Sequence, residues 1–208
     1  YGGKGTRAMG VVPKGLWEPP VDMEVPNYDL ERAEQLLAEA GYADGVEVKL
    51  AIGAGDIEQQ QLALLWQAEL SKIGVDLKIE EITNAAWWDG AYNPDNEFDM
   101  MTIVWAPGWP SPSEFTILYD SVNTFTPYVA YASPEFDDLV TRGLETESTD
   151  MEEANRLYAE AQQLLYDDAV GVFALDIPLD FTYRNDIKGF KPNPNYFDVV
   201  FWYNMRRE

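Results

Sequence analysis

The sequence contains neither cysteine nor histidine. Without these side chains the chain cannot build a thiol nucleophile, a Cys/His metal site, a Ser-His-Asp triad or an imidazole acid–base pair. We therefore expect no metal site and no cofactor. The sequence also lacks any apolar run near the roughly 20 residues that a bilayer-spanning helix requires.

Basic side chains are scarce as well. The chain has 14 Lys and Arg against 37 Asp and Glu, which gives a formal net charge of -23. Such a charge opposes binding to phosphates, so we expect no nucleic-acid partner. The acids are spread along the chain and are not gathered into a metal-binding loop, which favours a solvated acidic surface over a cation site. Apolar residues make up 46% of the sequence, which is enough for a core.

The first half of the sequence alternates helical and strand patterns. Asp29 is predicted to cap a helix that ends at Gly41. An alternating strand over 46–52, a second helix that ends at Gly74 and another strand over 75–79 follow. This alternation predicts an α/β lobe with a mixed β-sheet flanked by helices. The second helix is predicted to bury Leu62, Leu65, Trp66, Leu70 and Ile73.

The second half continues with helices and then strands. Ser133 followed by Pro134 predicts one helix start. Thr149 and Glu152 have the spacing of a capping box before a longer helix. The remaining sequence is rich in β-branched and aromatic residues, which predicts strands over 170–177, 180–184 and 199–203.

The segment from Phe98 to Phe115, FDMMTIVWAPGWPSPSEF, joins an apolar strand to a loop of tryptophan, proline and glycine. The apolar run over 100–104 is typical of a central strand covered on both faces. Prolines cannot continue a β-ladder, so the strand is predicted to stop near Trp105. Ligands of open α/β sheets bind at the carboxyl ends of strands, which makes this loop a candidate binding site.

Several segments, in this order, resemble the family 5 extracellular solute-binding proteins of ABC importers, which include the oligopeptide- and dipeptide-binding proteins. The loop segment above is one of them. The others are NYDLERAEQLLAEAGY (27–42), LSKIGVDLKI (70–79), YASPEFDDLV (131–140), ANRLYAEAQQLLYDDA (154–169) and NDIKGFKPNP (185–194).

The resemblance implies a periplasmic-binding-protein-like fold of type II, in which two lobes close over a solute. Family members are considerably longer, so residues 27–208 look like their C-terminal lobe, preceded by an extended lead-in over residues 1–26. The implied partners are a peptide or oligosaccharide solute, the N-terminal lobe of the same protein, and an ABC permease in the membrane. The implied location is periplasmic or extracellular, compatible with a lipoprotein anchor in the full-length protein.

The resemblance also implies ligand-binding residues in the loop. Trp105 matches a tryptophan that borders the family's pocket, although a core tryptophan is the alternative. Trp109 matches an aromatic position of the ligand-contacting loop. Gly108 stands where peptide-binding members have an aspartate that pairs with the ligand's α-amino group. A buried ammonium without a partner is costly, so this difference weakens the case for peptides unless Glu114 or Asp120 replaces that carboxylate.

A loop without a charge at this point also suits sugars. Aromatic rings stack on the apolar faces of pyranose rings, and the polar side chains of Ser111, Ser113 and Asn84 suit the rim of such a site. The sequence therefore leaves peptide and oligosaccharide open as cargo.

Three more residues are candidates by position. Trp87 and Trp88 lie where a family helix contributes an aromatic side chain to the cleft. Adjacent helical residues point about 100° apart, so at most one of them, either Trp87 or Trp88, is expected to face the ligand while the other packs. Asp176, an acid within an apolar strand, is either a ligand group or a hydrogen-bonded structural residue. Trp17 and Trp66 are expected to pack.

Two other classes of function stay open as alternatives. A glycoside-processing enzyme would need a pair of carboxylates such as Glu114 and Asp176. Because the chain has 37 acidic residues, such pairs are expected by chance. A stand-alone carbohydrate-binding module would use the same tryptophans. We favour the binding protein and expect no enzymatic activity.

Overall fold

The computed structural model describes residues 3–93, 95–122, 131–178, 180–193 and 199–208. In this part of the chain, no helix combines the length and apolarity needed to cross a membrane. The strands are β1 (Thr6–Arg7), β2 (Val46–Gly53), β3 (Val75–Ile82), β4 (Met100–Met101), β5 (Leu175–Asp176), β6 (Ile187–Lys188) and β7 (Arg206–Arg207). The α-helices are α1 (Leu30–Glu39), α2 (Ile57–Leu70), α3 (Asn84–Ala91), α4 (Ser113–Thr116), α5 (Pro134–Thr146) and α6 (Met151–Asp167).

The described residues form two compact units. The sheet unit comprises the described residues of 26–104, and the helical-pair unit comprises those of 1–25, 105–123 and 131–208. Each unit has its own apolar core. The expected division into a lead-in over 1–26 and a C-terminal lobe over 27–208 stays a prediction.

The sheet unit is built on three parallel strands in the order β3-β2-β4. Strands β2 and β3 pair over their full length, from Val46 opposite Val75 to Gly53 opposite Ile82. Parallel neighbours require a crossover connection, and α2 supplies it. The buried core of this unit consists of Leu50, Ile52, Ala63 and Leu77.

The helix boundaries of the sheet unit follow the sequence signals. The Asp29 side chain accepts a 2.9 Å hydrogen bond from the Arg32 backbone N–H at the start of α1, as predicted. Gly74 adopts φ 81° before β3. The predicted burial of Leu65 is wrong, because this side chain is 58% exposed. Helix α2 instead turns the small Ala63 towards the sheet, with Trp66 and Leu70 packing beside it.

The prediction of a central strand over 100–104 is also wrong, both in the length of the strand and in its place in the described sheet. Strand β4 contains only Met100 and Met101, which pair with β2. Ile103 and Val104 are 44% and 57% exposed. In the described sheet β2 is the middle strand, so it is β2, not β4, that has a hydrogen-bonded neighbour on each side.

The helical-pair unit centres on α5 and α6. Ser133 caps α5 by accepting a 3.3 Å hydrogen bond from the Phe136 N–H, as predicted. The cap of α6 lies one residue beyond the predicted capping box: Asp150 accepts a 3.1 Å hydrogen bond from the Glu153 N–H. The buried core between these helices consists of Phe136, Leu139, Val140, Leu157, Ala161 and Leu165.

The final third contains less β-structure than the sequence predicts. Of 170–177 only β5 is a strand, which pairs antiparallel with β1, and residues 202–204 form a 3-10 turn. The described residues 180–184 contain no strand. Phe181 and Tyr183 instead pack against Phe190, with ring centroids 5.2 Å and 4.8 Å away. Aromatic packing thus replaces the predicted β-ladder.

Candidate functional site

The loop between β4 and α4 is shaped by serine hydrogen bonds. Proline has no N–H, so few backbone donors are available at 107–112. The Ser111 N–H donates to the Trp109 carbonyl at 3.0 Å. The Ser111 Oγ accepts a 3.1 Å hydrogen bond from the Ser113 N–H, at the first residue of α4. These bonds fix the turn that carries Trp109.

Trp109 presents its ring while its polar atom is satisfied within the loop. The indole Nε1 donates to the Ser113 Oγ at 3.0 Å. The residue is 40% exposed. Because the N–H already has an acceptor, ring surface is what Trp109 offers to an apolar or planar ligand group.

The carboxylate of Glu147, the residue that directly follows α5, anchors the same turn. The hydroxyls of Ser111 and Tyr158 both donate to Glu147 Oε1, the Tyr158 bond at 2.9 Å. Burial and the neighbouring Glu147 raise the pKa of Tyr158, so its hydroxyl stays a donor. Sequence reasoning missed Glu147 and Tyr158, and no local signal identifies a partner 36 residues away from Ser111.

A second carboxylate lies beneath Gly108. Trp105 Nε1 donates to Glu114 Oε1 at 3.2 Å. Glu114 is only 5% exposed, and its Oε2 is buried without a hydrogen-bond partner. A Cβ on Gly108 would lie 3.2 Å from Oε1 and 3.5 Å from Oε2. The other acid considered for this position, Asp120, accepts a hydrogen bond from the Val122 N–H. Glu114 is therefore the acid that adjoins Gly108.

Asp176 lies on β5, opposite Thr6 of β1. Its carboxylate accepts a 3.0 Å hydrogen bond from the Lys14 N–H. Burial raises the pKa of Asp176, and the bond from Lys14 offsets part of that effect. The carboxylate thus takes part in the fold, and its role towards a ligand stays a prediction.

The two adjacent tryptophans lie in the sheet unit, on α3. Trp87 is buried, and its Nε1 donates to the Thr102 carbonyl at 2.9 Å. Trp88 is half-buried and stacks on Tyr92, with ring centroids 5.9 Å apart. Trp87 is therefore the member of the pair that packs inside, and Trp88 is the more exposed one.

The predicted site residues divide between the two units. Trp105, Gly108, Trp109, Ser111 and Asp176 lie in the helical-pair unit, whereas Trp87 and Trp88 lie in the sheet unit. Within the described ranges, no group of three or more acidic side chains is placed to hold a metal ion.

A family model described as bacterial extracellular solute-binding proteins, family 5 Middle, matches residues 1–127, which is more than half of the chain. The chain belongs to the family 5 extracellular solute-binding proteins. This family 5 chain is 27% identical over 197 residues to the probable D,D-dipeptide-binding periplasmic protein DdpA of Escherichia coli (strain K12). It is 31% identical over 208 residues to the heme-binding protein A of Haemophilus influenzae. These alignments cover 92% and 97% of the chain but only 37% of each relative.

Solved structures show the same fold. The Helicobacter pylori periplasmic binding protein DppA, in complex with the peptide STSA, matches with a TM-score of 0.79 and 24% identity. The Bacillus subtilis oligopeptide-binding protein AppA, in complex with a nonapeptide, matches with a TM-score of 0.78 and 23% identity. Each match covers 100% of this family 5 chain and 40% or 43% of the other protein. The expected periplasmic-binding-protein-like α/β fold is confirmed.

Proposed function

We propose that the full-length protein is the substrate-binding component of an ABC importer and that it captures peptides. The chain spans 37% of the length of DdpA and of heme-binding protein A. Peptide cargo is supported by the names of relatives. DdpA is named for D,D-dipeptides, a 25% identical Escherichia coli protein for dipeptides, and the 24% identical GsiB of Salmonella typhimurium for glutathione.

The observation that carries this proposal is the arrangement at the loop. The exposed ring of Trp109 projects from a turn that Ser111 and Ser113 hold in place. The Glu114 carboxylate lies under Gly108 in the same segment. Ligand sites commonly combine apolar ring surface with a few placed polar groups. The candidate site within the helical-pair unit consists of Trp105, Gly108, Trp109 and Ser111.

Trp88, on α3 of the sheet unit, is a separate candidate contact for the solute. Its ring is more exposed than that of Trp87, whose indole N–H is bound to a backbone carbonyl. In the full-length protein the N-terminal lobe closes over the solute outside the cytoplasm. The closed form then delivers the solute to a permease in the membrane. This role needs binding and release, with no covalent bond formed or broken.

Peptide is favoured over oligosaccharide because of Glu114. A carboxylate buried beside the site suits a solute that carries a positive charge, and a neutral sugar has none to offer. DdpA is named for a peptide ligand, whereas heme-binding protein A is named for haem. Haem is therefore included in the test of cargo.

A thermal-shift screen of the full-length protein tests the proposal. A ligand present at 100 times its Kd stabilises the folded protein by about 2.7 kcal/mol, which raises Tm measurably. Three sets are compared: free-amine di- to nonapeptides, linear α- and β-linked oligosaccharides, and haem. We expect a rise in Tm with peptides. A rise with oligosaccharides or with haem alone would contradict the peptide proposal.

A further inference from the structure

We propose that Glu147 and Ser111 position the Trp109 ring for the ligand, through hydrogen bonds that all run in one direction. This role rests on the proposed peptide-binding function and makes it more specific, because it names residues that set ligand affinity without touching the ligand. Ser111, which the sequence places at the rim of the site, is then a positioning residue. Glu147 lies outside the loop and directly follows α5.

The carboxylate of Glu147 sets the direction of these bonds, because a carboxylate only accepts. The Ser111 hydroxyl therefore donates its single proton to Glu147 Oε1. Ser111 Oγ in turn accepts from the Ser113 hydroxyl at 2.8 Å, and Ser113 Oγ accepts from the Trp109 indole N–H at 3.0 Å. We call this series, Trp109–Ser113–Ser111–Glu147, the serine relay. One carboxylate thus orients both serine hydroxyls and, through them, the indole N–H.

The Ser111 hydroxyl has no position left for a ligand. A hydroxyl has one donor and two acceptor positions. The donor of Ser111 is used by Glu147, and its two acceptor positions are used by the Ser113 hydroxyl and by the Ser113 N–H at 3.1 Å. Its effect on binding must therefore pass through Trp109, at the other end of the serine relay.

Glu147 is a firm anchor for the relay. Its N–H donates to the Gly143 carbonyl at 3.0 Å, so its backbone continues the hydrogen-bond pattern of α5. Its Oε1 also accepts a 2.9 Å bond from the hydroxyl of Tyr158, a buried residue of α6. The loop, in contrast, has a proline on each side of Ser111, and neither proline supplies an N–H. The position of the loop therefore depends on side-chain bonds to this anchor.

Trp109 is the member of the relay that offers a large surface to a ligand. It is 40% exposed, whereas Ser113, which accepts its N–H, is 1% exposed. The torsion that turns an indole about its bond to Cβ is broad, so a hydrogen bond at Nε1 selects one orientation of the ring. A side chain that is already held when the ligand arrives loses less conformational freedom on binding. Breaking the relay should therefore weaken binding.

Calorimetric titration and NMR of the full-length protein test this role. The ligand is a free-amine peptide that raises Tm in the thermal-shift screen. The NMR signal is the Nε1–H resonance of Trp109 in the ligand-free protein, assigned by its loss in Trp109→Phe. We expect Ser111→Ala and Glu147→Ala each to shift this resonance upfield, as a weakened hydrogen bond does, and to weaken peptide binding about fivefold or more. Ser111→Thr keeps a hydroxyl and should retain the wild-type resonance and affinity.

Two further variants serve as controls. The double variant of Ser111→Ala with Glu147→Ala should lose no more affinity than the more affected single variant, since the first break already disconnects Trp109. Ser121→Ala is the matched control, because it removes another serine–carboxylate bond of the same unit, from the Ser121 hydroxyl to Asp137. We expect it to change neither the peptide affinity nor the Trp109 resonance.

This role and the proposed function fail differently. An unchanged affinity in folded Ser111→Ala would overturn the positioning role and leave the peptide function intact. A loss of affinity without a change in the ligand-free resonance would also overturn it, because Ser111 would then contact the ligand directly. If Glu147→Ala does not fold, Ser111→Ala and Ser111→Thr decide alone, and equal losses in the two would contradict the relay. Wild-type protein that binds no peptide would end the proposed function, and the ligand-free resonance would still test the relay by itself.

Discussion

Tyr158 lies directly against Gly143 across the α5–α6 interface. A Cβ on Gly143 would lie 2.5 Å from Tyr158 Cε1 and 2.8 Å from Cζ. The Tyr158 ring is fully buried and its hydroxyl is bound to Glu147. The ring therefore cannot move aside to make room for a side chain on Gly143. The glycine therefore allows these helices to approach, and through Glu147 their packing supports the loop that carries Trp109.

Gly143→Ala should destabilise the protein although alanine favours helix. Overpacking of a close-packed interface costs about 1–3 kcal/mol, more than the gain of up to about 1 kcal/mol in helix propensity. Gly90→Ala is the matched control, since its Cβ would meet only the Met101 side chain at an ordinary 3.5 Å. Urea denaturation of the full-length protein should show opposite signs for the two variants. Equal effects would mean that the interface is looser than described.

Two tyrosines of α6 allow a paired test of the Glu147 anchor. Tyr158→Phe removes a hydrogen bond to a carboxylate and should cost about 1.5–3 kcal/mol of unfolding free energy. The Tyr166 hydroxyl is buried without a partner, so Tyr166→Phe should be neutral or stabilising. Chemical denaturation measures both. A larger loss for Tyr166→Phe than for Tyr158→Phe would contradict these contacts.

Tyr131 should make stability sensitive to alkaline pH. Burial and a 2.6 Å hydrogen bond to Asp168 raise the pKa of its phenol from 10.0 to about 12. The folded state thus favours the protonated phenol, so this contribution is complete below pH 10 and is lost as the pH rises through about 12. The stability difference between wild type and Tyr131→Phe should be constant from pH 7 to 9 and shrink between pH 10 and 12. A constant difference up to pH 12 would refute the assignment.

The adjacent tryptophans of α3 should respond differently to truncation. Trp87→Ala removes a buried ring and should cost about 3–5 kcal/mol of stability. Trp88→Ala removes a more exposed ring and should cost less unfolding free energy than Trp87→Ala. Relative to its loss of stability, it should weaken ligand binding more than Trp87→Ala does. Denaturation and calorimetry on both variants decide the matter. If Trp87→Ala lowered ligand affinity without lowering stability, Trp87 would be the ligand-facing residue and not the packing one.

The sequence predicts those parts of the fold that depend on local physics. Helix caps such as Asp29 and Ser133 are set by hydrogen bonds within four residues, and the alternation of β2 is set by the burial of one strand face. The burial of Leu65 could not be judged in this way. Which face of α2 meets the sheet depends on how closely Ala63 lets the helix approach.

In the candidate site, too, the features that depend on local sequence could be predicted, and those that depend on tertiary packing could not. The loop and its tryptophans could be located because proline and glycine mark the end of a strand. The contact of Glu114 with Gly108 was one of two options in the sequence, since only three-dimensional placement separates it from Asp120. The Glu147 anchor had no signal, because its partners, Ser111 in the loop and Tyr158 on α6, are distant in the sequence and are brought together by tertiary packing.

The Trp109 loop is proposed to bind a peptide. The direct measurement is calorimetric titration of the full-length wild type, Trp109→Ala and Trp17→Ala with a free-amine peptide that raises Tm. Trp17 donates its indole N–H to Asn155 within the fold, so its replacement controls for general loss of structure. We expect a loss of roughly 30-fold or more in affinity for Trp109→Ala and an unchanged affinity for Trp17→Ala. An unchanged peptide affinity in folded Trp109→Ala would show that this loop does not bind the peptide.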